Sequence, residues 1–264
     1  CRSHPVGHIQ DNSLEEIWNN DNMQRIRHQI LNDERPAECQ PCFSLEDQGV
    51  ESLRQRHING VIPEARINLY PNSLDKLNDD HSMPYEIPTM ELKLNNLCNL
   101  KCRMCNPLDS TSWQDWDNVV PFYKKENNYL VPTIEKLVNK PGQYIGPFDD
   151  TDNWWSSFEK LIPHFKRVEF AGGEPLLMDE HWQILDMLDE AQRYDVILTY
   201  NTNLSKLSYK NKNVIDYWKK WGRRVWLWPS IDEIGARAEL IRSGTDWNNV
   251  VNNLKAALAL DTHI

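Results

Sequence analysis

The sequence predicts an α/β fold built on a parallel sheet, and three observations predict it. From residue 167 onward, short β-prone runs alternate with amphipathic helical stretches, the pattern of βαβ units. Upstream, Met90-Glu91-Leu92-Lys93-Leu94-Asn95-Asn96 alternates apolar Leu92 and Leu94 with Glu91, Lys93 and Asn95, as a strand does, and runs directly into three cysteines. Each run ends on a polar or glycine-rich cluster, and in parallel sheets ligands sit beyond the carboxyl ends of the strands.

Residues 1–60 read as a first, helical unit. Ser13-Leu14-Glu15-Glu16 has the form of a capping box, a Ser hydroxyl and a Glu three residues on closing a helix N-terminus. Leu14, Ile17, Trp18, Ile26 and Ile30 supply an apolar stripe broken near Asn19-Asn20-Asp21. The helix is expected to end around Asn32-Asp33, ahead of Pro36. Cys39-Gln40-Pro41-Cys42 follows, a spacing at which both sulfurs reach one metal. A dithiol switch of the thioredoxin type wants a strand before the pair and a helix opening at it. Here a helix precedes the pair, so metal ligation is preferred to a redox dithiol.

Residues 61–89, with Pro63, Pro71, Pro84 and Pro88 among polar residues, read as a linker, and residues 90–264 as the core domain. Past the cysteines, Asp109-Ser110-Thr111-Ser112-Trp113 is expected to start a helix. Residues 113–160 read as an irregular insertion interrupted by Pro121, Pro132, Pro141 and Pro147. Three strand–helix units follow: 168–171 with a helix over 179–193, 196–200 with a helix near 214–221, and 225–228 with a helix over 247–259. Their strand ends carry Gly172-Gly173-Glu174, Asn201-Thr202-Asn203 and Ser230-Ile231-Asp232. Alone, Gly-Gly-Glu is a weak signal that also fits a tight turn with a solvated acid, and Asn-Thr-Asn is more often a turn than a site; together on one rim with the thiols they read as a site.

The 264 residues are ample for a buried core, and 40% hydrophobic with 26% charged residues is ordinary for a globular protein. A formal charge of −10 argues against broad, phosphate-driven nucleic-acid binding. No apolar run approaches the roughly 20 residues of a membrane span, and no signal peptide opens the sequence, so a cytoplasmic protein is expected. The 11 tryptophans read as core and surface bulk rather than a binding platform. The chain opens without Met and stops at residues 257–264 without an evident terminator, which reads as a fragment. Six cysteines in such a chain read as metal ligands before disulfides.

Cys98-Asn99-Leu100-Lys101-Cys102-Arg103-Met104-Cys105 is the stretch around which the chain is organised. Three thiolates at a strand mouth can take three corners of a cubane iron–sulfur cluster, leaving its fourth iron open to a small molecule. The alternative is a zinc-ribbon-like structural or binding protein using Cys39, Cys42, Cys102 and Cys105. That satisfies tetrahedral zinc but strands Cys98 and leaves the Gly-Gly-Glu strand end unexplained.

In these residues the chain resembles the radical S-adenosylmethionine (SAM) superfamily. Cys98, Cys102 and Cys105 match its cysteine signature, Ala171-Gly172-Gly173-Glu174-Pro175 its second-strand motif, Thr202-Asn203 its third and Ser230-Ile231-Asp232 its fourth. The resemblance covers about residues 88–264. It implies a partial (β/α) barrel; four strand–helix units are counted, so the barrel is expected to stop short at the C-terminal end. It implies a [4Fe-4S] cluster on Cys98, Cys102 and Cys105 whose open iron is chelated by the amino and carboxylate groups of SAM. Gly172, Gly173 and Glu174 would meet the SAM ammonium, and Ser230 would lie near the ribose or carboxylate. Arg242 would pair with the SAM carboxylate, against the plainer alternative of a solvated helix-end cation. Asn203 would stand in the site wall, with no assigned role. The implied activity is reductive cleavage of SAM to methionine and a 5′-deoxyadenosyl radical, which takes hydrogen from a substrate. In related enzymes that substrate is often a peptide or protein, and the electron donor is of the flavodoxin or ferredoxin kind.

The first unit resembles the Twitch/SPASM auxiliary-cluster modules of such enzymes. The likeness lies in Cys1-Arg2-Ser3-His4-Pro5, Ser13-Leu14-Glu15-Glu16-Ile17-Trp18-Asn19, Met23 with Ile26-Arg27, and the Cys39–Cys42 pair. It implies a second iron–sulfur cluster on Cys1, Cys39 and Cys42, one thiol short of full ligation, with Glu46 and His4 as candidates for the missing position. Such modules usually follow the core, whereas here the match precedes it. That order resembles Twitch-containing radical SAM proteins of phages and bacteria, and implies the cytoplasm of a bacterial host.

Overall fold

The computed structural model describes residues 5–9, 11–58, 61–62, 67–68, 74–116 and 152–263. Cys1 and His4 lie outside the described residues, as do Pro63 and Pro71 of the expected linker and residues 117–151 of the expected insertion. The chain falls into two compact units, Cys1–Pro88 with Asp150–Phe165, and Thr89–Asp149 with Lys166–Ile264.

In the first unit, α1 (Leu14–Trp18) opens on the expected capping box: Glu16 N–H donates to Ser13 Oγ at 3.1 Å, and Ser13 N–H to the Glu16 carboxylate at 2.7 Å. Asn20 interrupts the helix because its side chain caps the next one, α2 (Asp21–Leu31), accepting from Met23 N–H at 3.0 Å. Asp33, at φ +56°, turns the chain out of α2. A 3-10 turn over Ala37–Cys39 leads into α3 (Gln40–Glu46), then α4 (Leu53–Ile58) and the antiparallel pair β1 (Val61–Ile62) and β2 (Ile67–Asn68).

Two segments differ from their sequence expectation here. Residues 81–84 of the expected linker are fastened to the first helices, since Trp18 Nε1–H, Asn19 Nδ2–H and Arg27 Nη1–H donate to the carbonyls of Pro84, Met83 and His81 at 2.9, 2.7 and 3.0 Å. Within the expected irregular insertion, Asp152–Leu161 is a helix, α5, that buries Trp154, Phe158 and Leu161. It joins the first unit through Tyr85 Oη–H to Ser157 O (3.1 Å) and Lys160 to Glu15 (2.6 Å).

The second unit holds a four-stranded parallel sheet. Its strands are β3 (Thr89–Lys93), β5 (Arg167–Ala171), β6 (Ile197–Thr202) and β9 (Val225–Pro229), in that spatial order. Thr89 pairs with Arg167, Arg167 with Ile197, and Leu198 with Val225, so the four carboxyl ends line up on one edge. Central β6 buries Ile197, Leu198, Thr199 and Tyr200 in succession, as a parallel strand covered on both faces does. Between the strands run α6 (Asp179–Glu190), α7 (Val214–Trp221) and, past β9, α8 (Gly235–Ile241) and α9 (Trp247–Leu258). α6 buries His181, Trp182, Ile184, Leu185 and Leu188. Short β4 (Lys101–Cys102) pairs with β10 (Arg242–Ser243), and β7 (Ser208–Tyr209) with β8 (Lys212–Asn213). Trp182, Trp218, Trp221 and Trp226 are core, in keeping with the bulk role expected for tryptophan. Beyond α9, His263 bridges Trp226 in parallel, its N–H bonded to Val225 O at 2.9 Å.

Candidate metal centre

The cysteine loop leaves β3 and is wound by its own polar side chains. Asn95 Oδ1 accepts from Leu97 N–H at 2.8 Å, and Asn96 Nδ2–H donates to Pro107 O at 2.8 Å. Ser110 Oγ–H reaches Leu100 O at 2.7 Å, Ser112 Oγ–H reaches Cys98 O at 2.8 Å, and Thr111 N–H reaches Asn96 O at 3.0 Å. These contacts explain why residues 109–113 form turns instead of the expected helix start: the hydroxyls give the backbone partners outside a helix. The β4–β10 ladder closes the loop, setting Cys102 opposite Arg242.

Cys98 and Cys102 are buried, Cys105 is half-buried, and with Leu100 they form one packed cluster. Burial raises the Cys98 thiol to about 11. Cys102 and Cys105 hydrogen-bond one another; Cys102 is the lowered member, helped by the Arg242 cation, and Cys105 the raised one. Iron loading would therefore release protons from this site. Soft thiolate donors, two buried and one half-buried, in one loop fit an iron–sulfur cluster. Among the described residues no three His, Cys, Asp or Glu side chains gather as ligands of one metal ion. A mononuclear zinc site needs four donors around one point, whereas each cysteine of a cubane holds its own iron.

The Gly-Gly-Glu turn grips this loop from the end of β5. Gly173 N–H donates to Asn95 O at 3.1 Å and Glu174 N–H to Leu97 O at 2.7 Å. A Cβ on Gly173 would stand 2.2 Å from Leu97 O, and Gly172, at φ +117°, would bring one within 2.8 Å of Asn95 O. Only residues without a side chain allow that approach. Glu174 turns its side chain inward. It is 1% exposed, and its carboxylate accepts from Thr202 Oγ1–H (2.7 Å), Asn203 N–H (2.7 Å) and Leu176 N–H (3.3 Å). It ties the end of β5 to the end of β6, and burial lifts its pKa to about 7.

Asn203, to which the sequence assigned no role, touches Cys98: Nδ2–H points at Cys98 Sγ (3.8 Å) and Asn99 Oδ1 (3.3 Å), while Oδ1 accepts from Ser205 N–H at 2.8 Å. Arg242 spends Nε–H on Asp232 (2.6 Å) and Nη1–H on Cys102 Sγ (3.7 Å). Asn203, Ser230, Asp232 and Arg242 border one pocket together with Thr245 and Trp247. Its volume is about 10 Å³, that of one water.

In the first unit, Cys39 closes the 3-10 turn and Cys42 lies in the first turn of α3, both half-buried free thiols. A helix thus does open at the pair, but a helix and a 3-10 turn precede it, not a strand. Burial, then the neighbouring Cys42, raises the Cys39 thiol. The Glu46 carboxylate accepts from Ser52 Oγ–H and from Arg54, whose Nε–H lies at 3.1 Å.

Residues 1–43 match the family model of SPASM, an iron–sulfur cluster-binding domain. The match takes in Cys1, Cys39 and Cys42. It points to iron–sulfur binding by this segment. No curated protein and no solved structure matches the chain. Among the described residues no helix is long and apolar enough to cross a membrane.

Proposed function

We propose that the chain is a radical SAM enzyme with two iron–sulfur sites. Cys98, Cys102 and Cys105 hold the SAM-binding [4Fe-4S] cluster, and Cys39 and Cys42, with Cys1, belong to the auxiliary one. The observation that carries this reading is the three-thiol loop, pinned against two strand ends by Gly173, Glu174 and Asn203. The SPASM match supports it independently. When bound together, cluster and SAM supply one-electron cleavage of the C5′–S bond and a radical that takes hydrogen from substrate.

The residues of the chain have the following parts. Gly172 and Gly173 bring the end of β5 against the backbone of residues 95–97, just ahead of Cys98. Glu174 acts as a brace, fixing Thr202 and Asn203. Ser230, whose N–H donates to Thr202 O at 2.8 Å, lines the pocket and is assigned to the ribose or carboxylate. The partial barrel belongs to the same proposal, supported by the parallel sheet and by His263, which pairs where a fifth strand would lie. A peptide or protein substrate, a flavodoxin- or ferredoxin-class donor and a cytoplasmic setting rest on family analogy. Under dithionite with SAM, anaerobic wild-type protein should form 5′-deoxyadenosine and Cys102→Ala none; undiminished formation by the variant would reject the assignment.

A further inference from the structure

Two of the three loop sulfurs carry side-chain N–H groups from the far strand ends, and one is cationic. Arg242 Nη1–H lies 3.7 Å from Cys102 Sγ, and its Nε–H is 2.6 Å from Asp232 Oδ2. The Arg242 side chain is 17% exposed, and the β4–β10 ladder sets Arg242 opposite Cys102, reinforced by Arg103 N–H to Ile241 O at 2.9 Å. Of its five N–H donors, one is aimed at a sulfur and one at a carboxylate.

We infer that the Arg242–Asp232 pair acts on the cluster rather than on SAM, as a positioned charge that sets the reduction potential through Cys102. The inference rests on the proposed function, because it takes Cys102 as a cluster ligand. Reduction adds one electron, spread over iron and thiolate sulfur. A cation and N–H donors at the sulfurs favour the reduced state, and net charge and hydrogen bonds to sulfur are known levers of cluster potential. Asp232 opposes the cation, being joined to it at 2.6 Å. The two residues should therefore push the potential in opposite directions. Asn203 Nδ2–H and Leu100 N–H, at 3.8 and 3.5 Å from Cys98 Sγ, add neutral donors at a second sulfur.

The test is an anaerobic redox titration of the whole chain, read by electron paramagnetic resonance without SAM and paired with a SAM-binding measurement. Arg242→Gln should lower the equilibrium constant for reduction about tenfold, which for one electron is about 59 mV. Asp232→Asn should raise it, by about threefold given its greater exposure. Shifts of opposite sign support the inference, since general loosening of the site would move both variants the same way. Unchanged potentials with weakened SAM binding in Arg242→Gln would return Arg242 to the ligand and overturn it. If Arg242→Gln assembles no cluster, Asp232→Asn decides alone, a rise supporting the inference and no rise overturning it. A wild-type chain without any iron–sulfur signal would overturn the proposed function as well, and differs visibly from a loaded chain whose potentials do not move.

Discussion

Gly173→Ala tests how the thiol loop is held. The added Cβ would lie 2.2 Å from Leu97 O, 2.6 Å from Leu97 C and 2.7 Å from Asn96 C. All three are backbone atoms, so no rotamer change relieves the contact, and the loop must retreat by roughly 1 Å in a close-packed region. Overpacking of this kind costs about 1–3 kcal/mol. The retreat also loosens Gly173 N–H to Asn95 O and Glu174 N–H to Leu97 O, each contributing about 1 kcal/mol. The sum is about 3–5 kcal/mol, delivered one residue ahead of Cys98. Denaturant unfolding of anaerobic protein and iron per chain are the readouts, and both should fall. Gly222→Ala is the control: φ is +53° with ψ −124°, a backbone conformation that L residues rarely adopt, and nothing lies within 4 Å of its added Cβ, so it should cost about 1–3 kcal/mol of backbone strain and no iron. A Gly173→Ala protein with wild-type iron content and a stability change below about 1 kcal/mol would refute the reasoning.

Two further outcomes follow from the site. The folded pKa of Glu174, about 7, lies above its ordinary value of 4.5, so the stability it contributes is complete below about 4.5 and is lost as pH rises through about 7. Glu174→Gln cannot ionise; the wild-type-minus-variant stability difference should decline by up to about 3 kcal/mol between pH 4.5 and 8, and parallel pH curves would contradict this. In the first unit, Cys39→Ala should lower iron per chain while the spectrum of the core cluster persists; unchanged iron would show that this unit carries no cluster.

Where the signal is local, the sequence is readable. The capping box at Ser13, the strands after residues 166, 196 and 224, and α7 over Val214–Trp221 rest on side chains a few positions apart, and the structure has them there. The cysteine spacing is local too. What escaped depends on partners far along the chain. The turns at 109–113 exist because Ser110 and Ser112 bind carbonyls of the cysteine loop, and β4 exists because residues 242–243 return to pair with it. No periodicity announces a ladder of two residues. The helix at Asp152–Leu161 was within reach, since Trp154, Phe158 and Leu161 lie on one face, but the prolines upstream masked it. Glu174 shows a different limit: an acid after two glycines suggests an exposed ligand group, and only the tertiary structure shows its carboxylate turned inward onto Thr202 and Asn203.

The central claim is that three cysteines in one loop hold a cluster with an open iron, and metal analysis tests it most directly. Protein purified without oxygen should contain iron and acid-labile sulfide, with the broad visible absorption of an iron–sulfur cluster. That absorption should diminish when Cys98, Cys102 and Cys105 are replaced together by Ala. Colourless wild-type protein with stoichiometric zinc and no labile sulfide would contradict it.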